Sequence, residues 1–80
     1  MEIKFMDNKS VAVDNGKNVG ECVFIESGDV WNIIHTEVDS AYQGQGIAKK
    51  LVVCVIENSK RLNKKLVSDC SYAKKVIDSM

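Results

Sequence analysis

Residues 38–51 combine a strand end, a glycine-spaced turn and the start of a helix. Gly44 and Gly46 are separated by one residue, and Ile47 opens a run of apolar residues at helical spacing. Glycine lets the backbone approach a ligand closely, because no Cβ stands in the way. The first amides of a helix have no partner within it and carry the positive end of its dipole. The stretch therefore predicts a site for an anionic group.

The residues before this stretch predict strands. Four segments are short, alternating or rich in β-branched and aromatic residues, namely 3–5, 11–13, 19–26 and 30–38. The connections between them contain Asn, Asp and Gly, which favour turns. Strands joined so briefly form an antiparallel meander. Strict alternation along the fourth strand places Trp31, Ile33, His35 and Glu37 on one face and Val38 on the other.

The second half predicts a helix, a strand and a helix. The main helix begins at Gly46 or Ile47 and stops near Asn63, which tolerates the left-handed conformation. Residues 65–68 form a short buried strand parallel to the fourth strand, and residues 72–77 a short helix capped by Asp69 or Ser71. The expected fold class is α+β, and residues 1–80 are expected to form one minimal domain.

Composition excludes several classes of protein. Eleven basic residues balance eleven acidic ones, so net charge gives no reason to expect nucleic acid or a membrane surface as partner. Cys22, Cys54 and Cys70 are widely spaced and His35 is the only histidine, which argues against a metal site or a disulfide framework. The apolar run at residues 51–56 is too short to span a bilayer. A cytoplasmic chain with reduced thiols is expected.

Other nucleotide-binding turns fit this chain poorly. A dinucleotide-binding fold places its glycine turn after the first strand, whereas three strands precede the strand that leads to Gly44. A nucleoside-triphosphate loop requires Gly-Lys-Ser/Thr after its glycines, and this chain has none there.

Gln43-Gly44-Gln45-Gly46-Ile47-Ala48 resembles the motif Gln/Arg-x-x-Gly-x-Gly/Ala of the GNAT superfamily of acyl-CoA-dependent N-acetyltransferases. The segments His35-Thr36-Glu37-Val38 and Cys70-Ser71-Tyr72-Ala73 are similar to the smallest, single-motif branch of that superfamily. The resemblance implies acetyl-CoA, or coenzyme A, as the cofactor. Its pyrophosphate would lie on the amides of residues 43–48, and its pantetheine arm beside the strand that ends at Val38. The cofactor-binding residues would be Val38, Gln43, Gly44, Gln45, Gly46, Ile47, Ala48 and Lys49, with Lys49 near a phosphate.

The resemblance also implies where acetyl transfer would take place. The reaction needs a neutral amine, a polarised thioester and a proton for the departing thiolate. Glu37 or His35 is the candidate base, although His35 packed beside Trp31 and a solvated Glu37 are the structural alternatives. Cys70 would accept the acyl group, donate a proton or fill the core. The Tyr72 hydroxyl would protonate the departing CoA thiolate, or its ring would pack against neighbouring side chains.

The leading hypothesis is an acetyl-CoA-dependent N-acetyltransferase acting on an amine, either a small molecule or a protein. The alternative is a CoA or acyl-CoA binding module without turnover, or an accessory subunit. In a third reading, the glycine turn is only a corner between strand and helix. The broad apolar arc of the main helix, which includes Val53, Cys54 and Ile56, favours a homodimer.

Overall fold

The structure is a computed structural model that describes residues 1–80. It contains five strands, β1 (Glu2–Met6), β2 (Lys9–Asp14), β3 (Lys17–Ser27), β4 (Val30–Val38) and β5 (Lys65–Ser68). It has two helices, α1 (Ile47–Arg61) and α2 (Ser71–Asp78), and one 3-10 turn at Ser40–Tyr42. The predicted α+β class and order of elements are confirmed.

The five strands form one sheet in sequence order. Neighbours from β1 to β4 are antiparallel, and β5 runs parallel to β4. Asn15 and Gly16 join β2 to β3 with φ of 52° and 78°, the conformation that two-residue hairpins require. The connection from β4 to β5 contains α1, as a parallel crossover needs. The helix therefore covers one side of the sheet, here called the inner face, and leaves the outer face open.

A bulge in β4 changes which side chains share a face. His35 pairs with Val23 and Ile33 with Phe24, so Ile34 is an extra residue between them. Before the bulge, Trp31 and Ile33 are buried on the inner face, at 3% and 0% exposure. After it, Thr36 and Val38 lie on that face, whereas His35 and Glu37 are exposed on the outer one. The expectation of a shared face for Ile33 and His35 is wrong, because a one-residue shift reverses the alternation.

The core lies between the inner face and α1. It includes stacked Phe24 and Trp31, with ring centroids 4.2 Å apart, and the fully buried Leu51 of the helix. A Cβ on Gly20 would lie 3.1 Å from Leu51 Cδ1 and 3.0 Å from the carbonyl oxygen of Glu37. Glycine at position 20 thus permits close packing of helix on sheet.

The two helices end as local sequence dictates. Gly46 caps the start of α1 with φ of 77°, and Asn63 after its end has φ of 62°, as predicted. Helix α2 begins after Cys70, so neither Asp69 nor Ser71 is its cap. It packs on α1 and covers part of the broad apolar arc, while Val53 and Cys54 stay partly exposed. A homodimer stays a prediction. Neither helix has the length and apolar character to cross a membrane.

Candidate active site

Strand β5 leaves β4 before β4 ends. The two strands pair only from Val30 to Ile33 of β4. The carbonyl oxygen of Ile33 accepts the amides of Asp69 at 2.9 Å and Cys70 at 3.2 Å, which ends the ladder. Residues 34–38 therefore have no strand on that side. We call this opening the wedge. It is bounded by β4, by Cys70 and by the first turn of α2.

The glycine turn, defined as residues 43–46, leads from the end of β4 into α1. None of the amides of residues 44–49 donates to an acceptor in the protein, and the amide of Lys50 makes the first helical hydrogen bond, to Gly46 at 3.2 Å. Gly44 and Gly46 have φ of 82° and 77°, values that disfavour a side chain. The first turn of α1 holds no acidic residue. These features suit an anionic group such as a pyrophosphate.

A cavity of about 290 Å³ joins the glycine turn to the end of β4 and the start of α2. Its lining residues are Val38, Tyr42, Gln43, Gly44, Gly46, Ile47, Ala48 and Tyr72. The structure thus brings together six of the residues expected to bind cofactor and one expected to act in catalysis. Gln45 and Lys49 are exposed beside the cavity and do not line it.

Two further contacts shape this cavity. The side chain of Gln43 donates to the carbonyl oxygen of Val38 at 3.3 Å, so this carbonyl already has a partner. The Tyr42 hydroxyl donates to Asp14 at 2.8 Å. That hydrogen bond, together with burial, raises the pKa of the Tyr42 phenol. Sequence reasoning gave no role to Tyr42, although its place just before the glycine turn was a usable signal.

Cys70 lies at the mouth of the wedge as the N-cap residue of α2. Burial raises the pKa of its thiol, but the nearby amide of Ala73, the side chain of Thr36 and the amide of Tyr72 favour the thiolate more strongly, and the pKa lies below its ordinary value. The sulfur makes no full capping hydrogen bond, so these amides act at longer range. A lowered pKa is what a reactive thiol requires.

Thr36 joins Cys70 to a second thiol. Its hydroxyl donates to Cys22 Sγ and accepts from Cys70 Sγ, with both distances at 3.6 Å. Cys22 is fully buried, and burial raises the pKa of its thiol to about 11. Sequence reasoning passed over Thr36, because its contact with Cys70 joins residues far apart in the chain.

His35 and Glu37 form a pair on the outer face. His35 Nε2 lies 3.2 Å from Glu37 Oε2, and both side chains are exposed. The alternative in which His35 packs beside Trp31 is therefore wrong. Glu21 lies directly opposite Glu37 in the register. A depression of about 310 Å³ beside this pair is lined in part by Glu21, Glu37 and Asp39. The candidate base and the candidate thiol thus occupy opposite faces of β4.

Comparison with known proteins identifies the family. The sequence model of the family of GCN5-related N-acetyltransferases matches residues 9–80. The chain belongs to the GCN5-related N-acetyltransferase family. Members of this family use acetyl-CoA, which agrees with the unpartnered amides of the glycine turn. A search of curated proteins finds no match.

Solved structures of other proteins share this fold. A GCN5-like protein from Staphylococcus aureus, described as a putative N-acetyltransferase, is 32% identical with a TM-score of 0.74, over 98% of this chain and 78% of that one. The ribosomal-protein-S18-alanine N-acetyltransferase of Escherichia coli is 20% identical with a TM-score of 0.75, over 89% of this chain and 49% of the enzyme. A Mycobacterium tuberculosis protein crystallised with CoA is 27% identical with a TM-score of 0.60, over 69% of this chain and 36% of that protein. The chain thus spans half or less of the last two proteins.

Proposed function

We propose that this chain binds acetyl-CoA and transfers its acetyl group to an amine. The observation that carries the proposal is the run of unpartnered amides at residues 44–49, which opens onto a cavity beside the unpaired end of β4. Unsatisfied amides at a helix start favour a pyrophosphate. The unpaired edge of β4 offers backbone groups to the pantetheine arm, and the exposed Lys49 supplies a cation near the turn.

The thioester of acetyl-CoA supplies the activated acyl group. In one route the Cys70 thiolate attacks the thioester and CoA leaves as a thiolate; the amine then attacks the acetyl-Cys70 thioester, and Cys70 leaves as a thiolate. In the other, the amine attacks the thioester directly, and Cys70 Sγ or the Tyr72 hydroxyl gives its proton to the departing thiolate. The nearby amides and the Thr36 side chain, which lower the pKa of Cys70, suit the first route. Tyr72 lines the same cavity as the glycine turn.

The acceptor amine must lose a proton to become a nucleophile. Glu37, paired with His35, is our candidate for taking it, directly or through water. Glu37 in the outer depression favours a cationic amine, on a small molecule or on a protein, whereas Glu21 and Asp39 in the same lining already pair with Lys9 at 3.5 Å and Lys17 at 3.8 Å. A carboxylate beside a bound ammonium group both attracts the substrate and removes its proton.

Binding and turnover are tested separately. CoA at about 100 times its Kd is expected to stabilise the fold by about 2.7 kcal/mol, with a matching rise in Tm. It should also shift the amide signals of Gly44, Gln45 and Gly46. Unchanged Tm and unchanged signals in saturating CoA would refute binding.

Turnover is measured by incubating the protein with acetyl-CoA and a panel of polyamines, amino acids and lysine peptides, with chromatography of released CoA. We expect release that depends on the amine and falls in Cys70→Ala. Mass spectrometry of the protein separates the two routes, since only the first leaves an acetyl adduct on Cys70. Binding without release across the panel would favour the CoA-binding module.

A further inference from the structure

Thr36 stands between two sulfur atoms on the inner face of the sheet. Thr36 on β4 pairs in register with Cys22 on β3, so both side chains point to the same face. Cys70 approaches from the start of α2, and each sulfur lies 3.6 Å from Thr36 Oγ1. One hydroxyl thus links the fully buried thiol of Cys22 to the partly buried thiol of Cys70, which borders the wedge.

The backbone of Cys70 is held independently of this hydroxyl. Its amide donates to Ile33 at 3.2 Å and to Ser68 Oγ at 3.0 Å. Its carbonyl accepts the amide of Lys74 at 3.0 Å and the Ser68 hydroxyl at 2.8 Å. Because the main chain is fixed on both sides, Thr36 acts on the side chain alone. Loss of its hydroxyl should change the sulfur and leave the backbone in place.

A hydroxyl has one proton, so it donates to one sulfur at a time. With both thiols protonated, Cys70 donates to Thr36, and Thr36 donates to Cys22. When Cys70 loses its proton, its thiolate needs a donor. Thr36 supplies one by turning its proton towards Cys70, and Cys22, still protonated, can then donate to the vacated oxygen. In both arrangements the Thr36 hydroxyl donates one hydrogen bond and accepts another, and in the second the Cys22 proton is also paired.

We propose that Thr36 is a positioning residue, which directs Cys70 Sγ into the wedge and stabilises its thiolate, with the buried Cys22 thiol donating to Thr36 in that state. The role of this thiolate in acetyl transfer rests on the proposed function. The hydrogen-bond switch itself does not, because all three residues belong to the protein and no ligand takes part.

Among the side chains around Cys70, Thr36 is the main hydrogen-bond donor to its sulfur. Cys22 faces it across Thr36 from β3, and Tyr72 follows it on α2. The side-chain amide of Asn32 donates to the Asp69 carboxylate at 2.8 Å. No cationic side chain contributes to the lowered pKa of Cys70. The Thr36 hydroxyl and the backbone amides are therefore the groups that favour the thiolate.

The test is the pH profile of iodoacetamide alkylation at Cys70, read by mass spectrometry of the Cys70 peptide in protein without CoA. Thr36→Val keeps the shape of the side chain and removes the hydroxyl. We expect the pKa of Cys70 to rise by about one unit, since a hydrogen bond to a charged group is lost. Thr36→Ser should restore the profile. Cys54→Ala, on the outer side of α1, is the matched control and should leave it unchanged.

Acetyl transfer is then measured with the same variants. Thr36→Val is expected to lower kcat about tenfold with KM for acetyl-CoA unchanged, in proportion to the lost thiolate. An unshifted profile in folded Thr36→Val overturns the proposal even if the wild type transfers acetyl groups. A shifted profile in a protein that transfers none supports the switch and counts against the proposed function. If Thr36→Val does not fold, Thr36→Ala takes its place. The Cβ chemical shift of Cys70 in Thr36→Ser then gives a second reading, and a raised pKa in Thr36→Ser would also overturn the proposal.

Discussion

The two faces of β4 beyond its bulge carry different chemistry. On the inner face, Thr36 and Val38 meet thiols, apolar side chains and the glycine turn. On the outer face, His35 and Glu37 lie in solvent beside Glu21. Both sets come from one short segment of chain. The difference shows how a single strand can keep thiols and apolar side chains on one face and charged side chains on the other.

The bulge at Ile34 produces this separation. Without the extra residue, His35 and Glu37 would follow Trp31 and Ile33 onto the inner face and replace Thr36 there. A carboxylate buried beside a thiol would raise the pKa of both groups. The bulge instead leaves the carboxylate in water and the thiol beside a neutral hydroxyl.

The largest expected effect tests which face of β4 is buried just before the bulge. Ile33→Ala removes a fully buried side chain and should lower the free energy of unfolding by about 2–5 kcal/mol. Ile34→Ala, the matched control on the next residue, removes a side chain that is 41% exposed and should cost less than about 0.5 kcal/mol. Urea denaturation measures both variants. Equal losses would contradict the assignment of the two faces.

Glu37→Gln tests the chemistry of the outer face. Loss of a general base should lower acetyl transfer about 100-fold. The exposed position of Glu37 predicts little change in stability. Glu21→Gln, its register neighbour, is the control and should affect transfer much less. The measurement is kcat/KM for the best amine of the panel. A fully active Glu37→Gln would remove the outer face from the mechanism.

Alkaline pH tests the buried thiol of the inner face. Cys22 keeps its proton up to a pKa of about 11 in the folded protein, above its ordinary value of 9.0. A raised folded pKa gives stability that is fully present below pH 9 and is lost as pH rises towards 11. The loss should amount to about 2 kcal/mol. We expect Cys22→Ala to show a shallower decline of unfolding free energy between pH 9 and 11, and identical slopes would contradict burial of this thiol.

The smallest effect concerns the glycine turn. Gly46→Ala places a side chain at φ of 77°, although a Cβ there would meet no atom within 4 Å. The strain of about 1 kcal/mol should relax the turn and weaken CoA binding by roughly fivefold. Gly16→Ala has nearly the same φ of 78° and equally open space, in the β2–β3 hairpin, which supplies no lining residue of the cavity. The Gly16→Ala variant should lose similar stability and keep its affinity for CoA. Calorimetry would measure both quantities. An equal loss of affinity in both would mean that the turn itself is not the binding element.

Much of the fold could be predicted because its signals are local. Asn15-Gly16, Gly46 and Asn63 sit where positive φ is needed, and they fix a hairpin and both ends of α1. The bounds of β4 and β5 agree with the prediction. The bulge at Ile34 left no such signal. Ile33, Ile34 and His35 read as uninterrupted alternation, and only pairing with β3 reveals the extra residue.

The candidate site divides in the same way. The glycine turn lies within one stretch of sequence, so its open amides and most of its cavity could be predicted. The hydrogen bonds that join Cys22, Thr36 and Cys70 could not be predicted, since these residues meet only after β3, β4 and α2 have packed. Which route acetyl transfer takes stays a prediction, because it depends on a cofactor and an acceptor beyond the chain.

The ladder between β4 and β5 ends at the carbonyl oxygen of Ile33, which accepts two amides. A backbone atom therefore determines how long the wedge is. Substitution of Ile33 cannot delete that atom, so variation at this position leaves the length of the opening unchanged. An insertion or deletion in β5 would alter the length of the opening, because the amide of a different residue would then bind the Ile33 carbonyl oxygen. The size of the opening is thus sensitive to insertions and deletions and tolerant of substitutions.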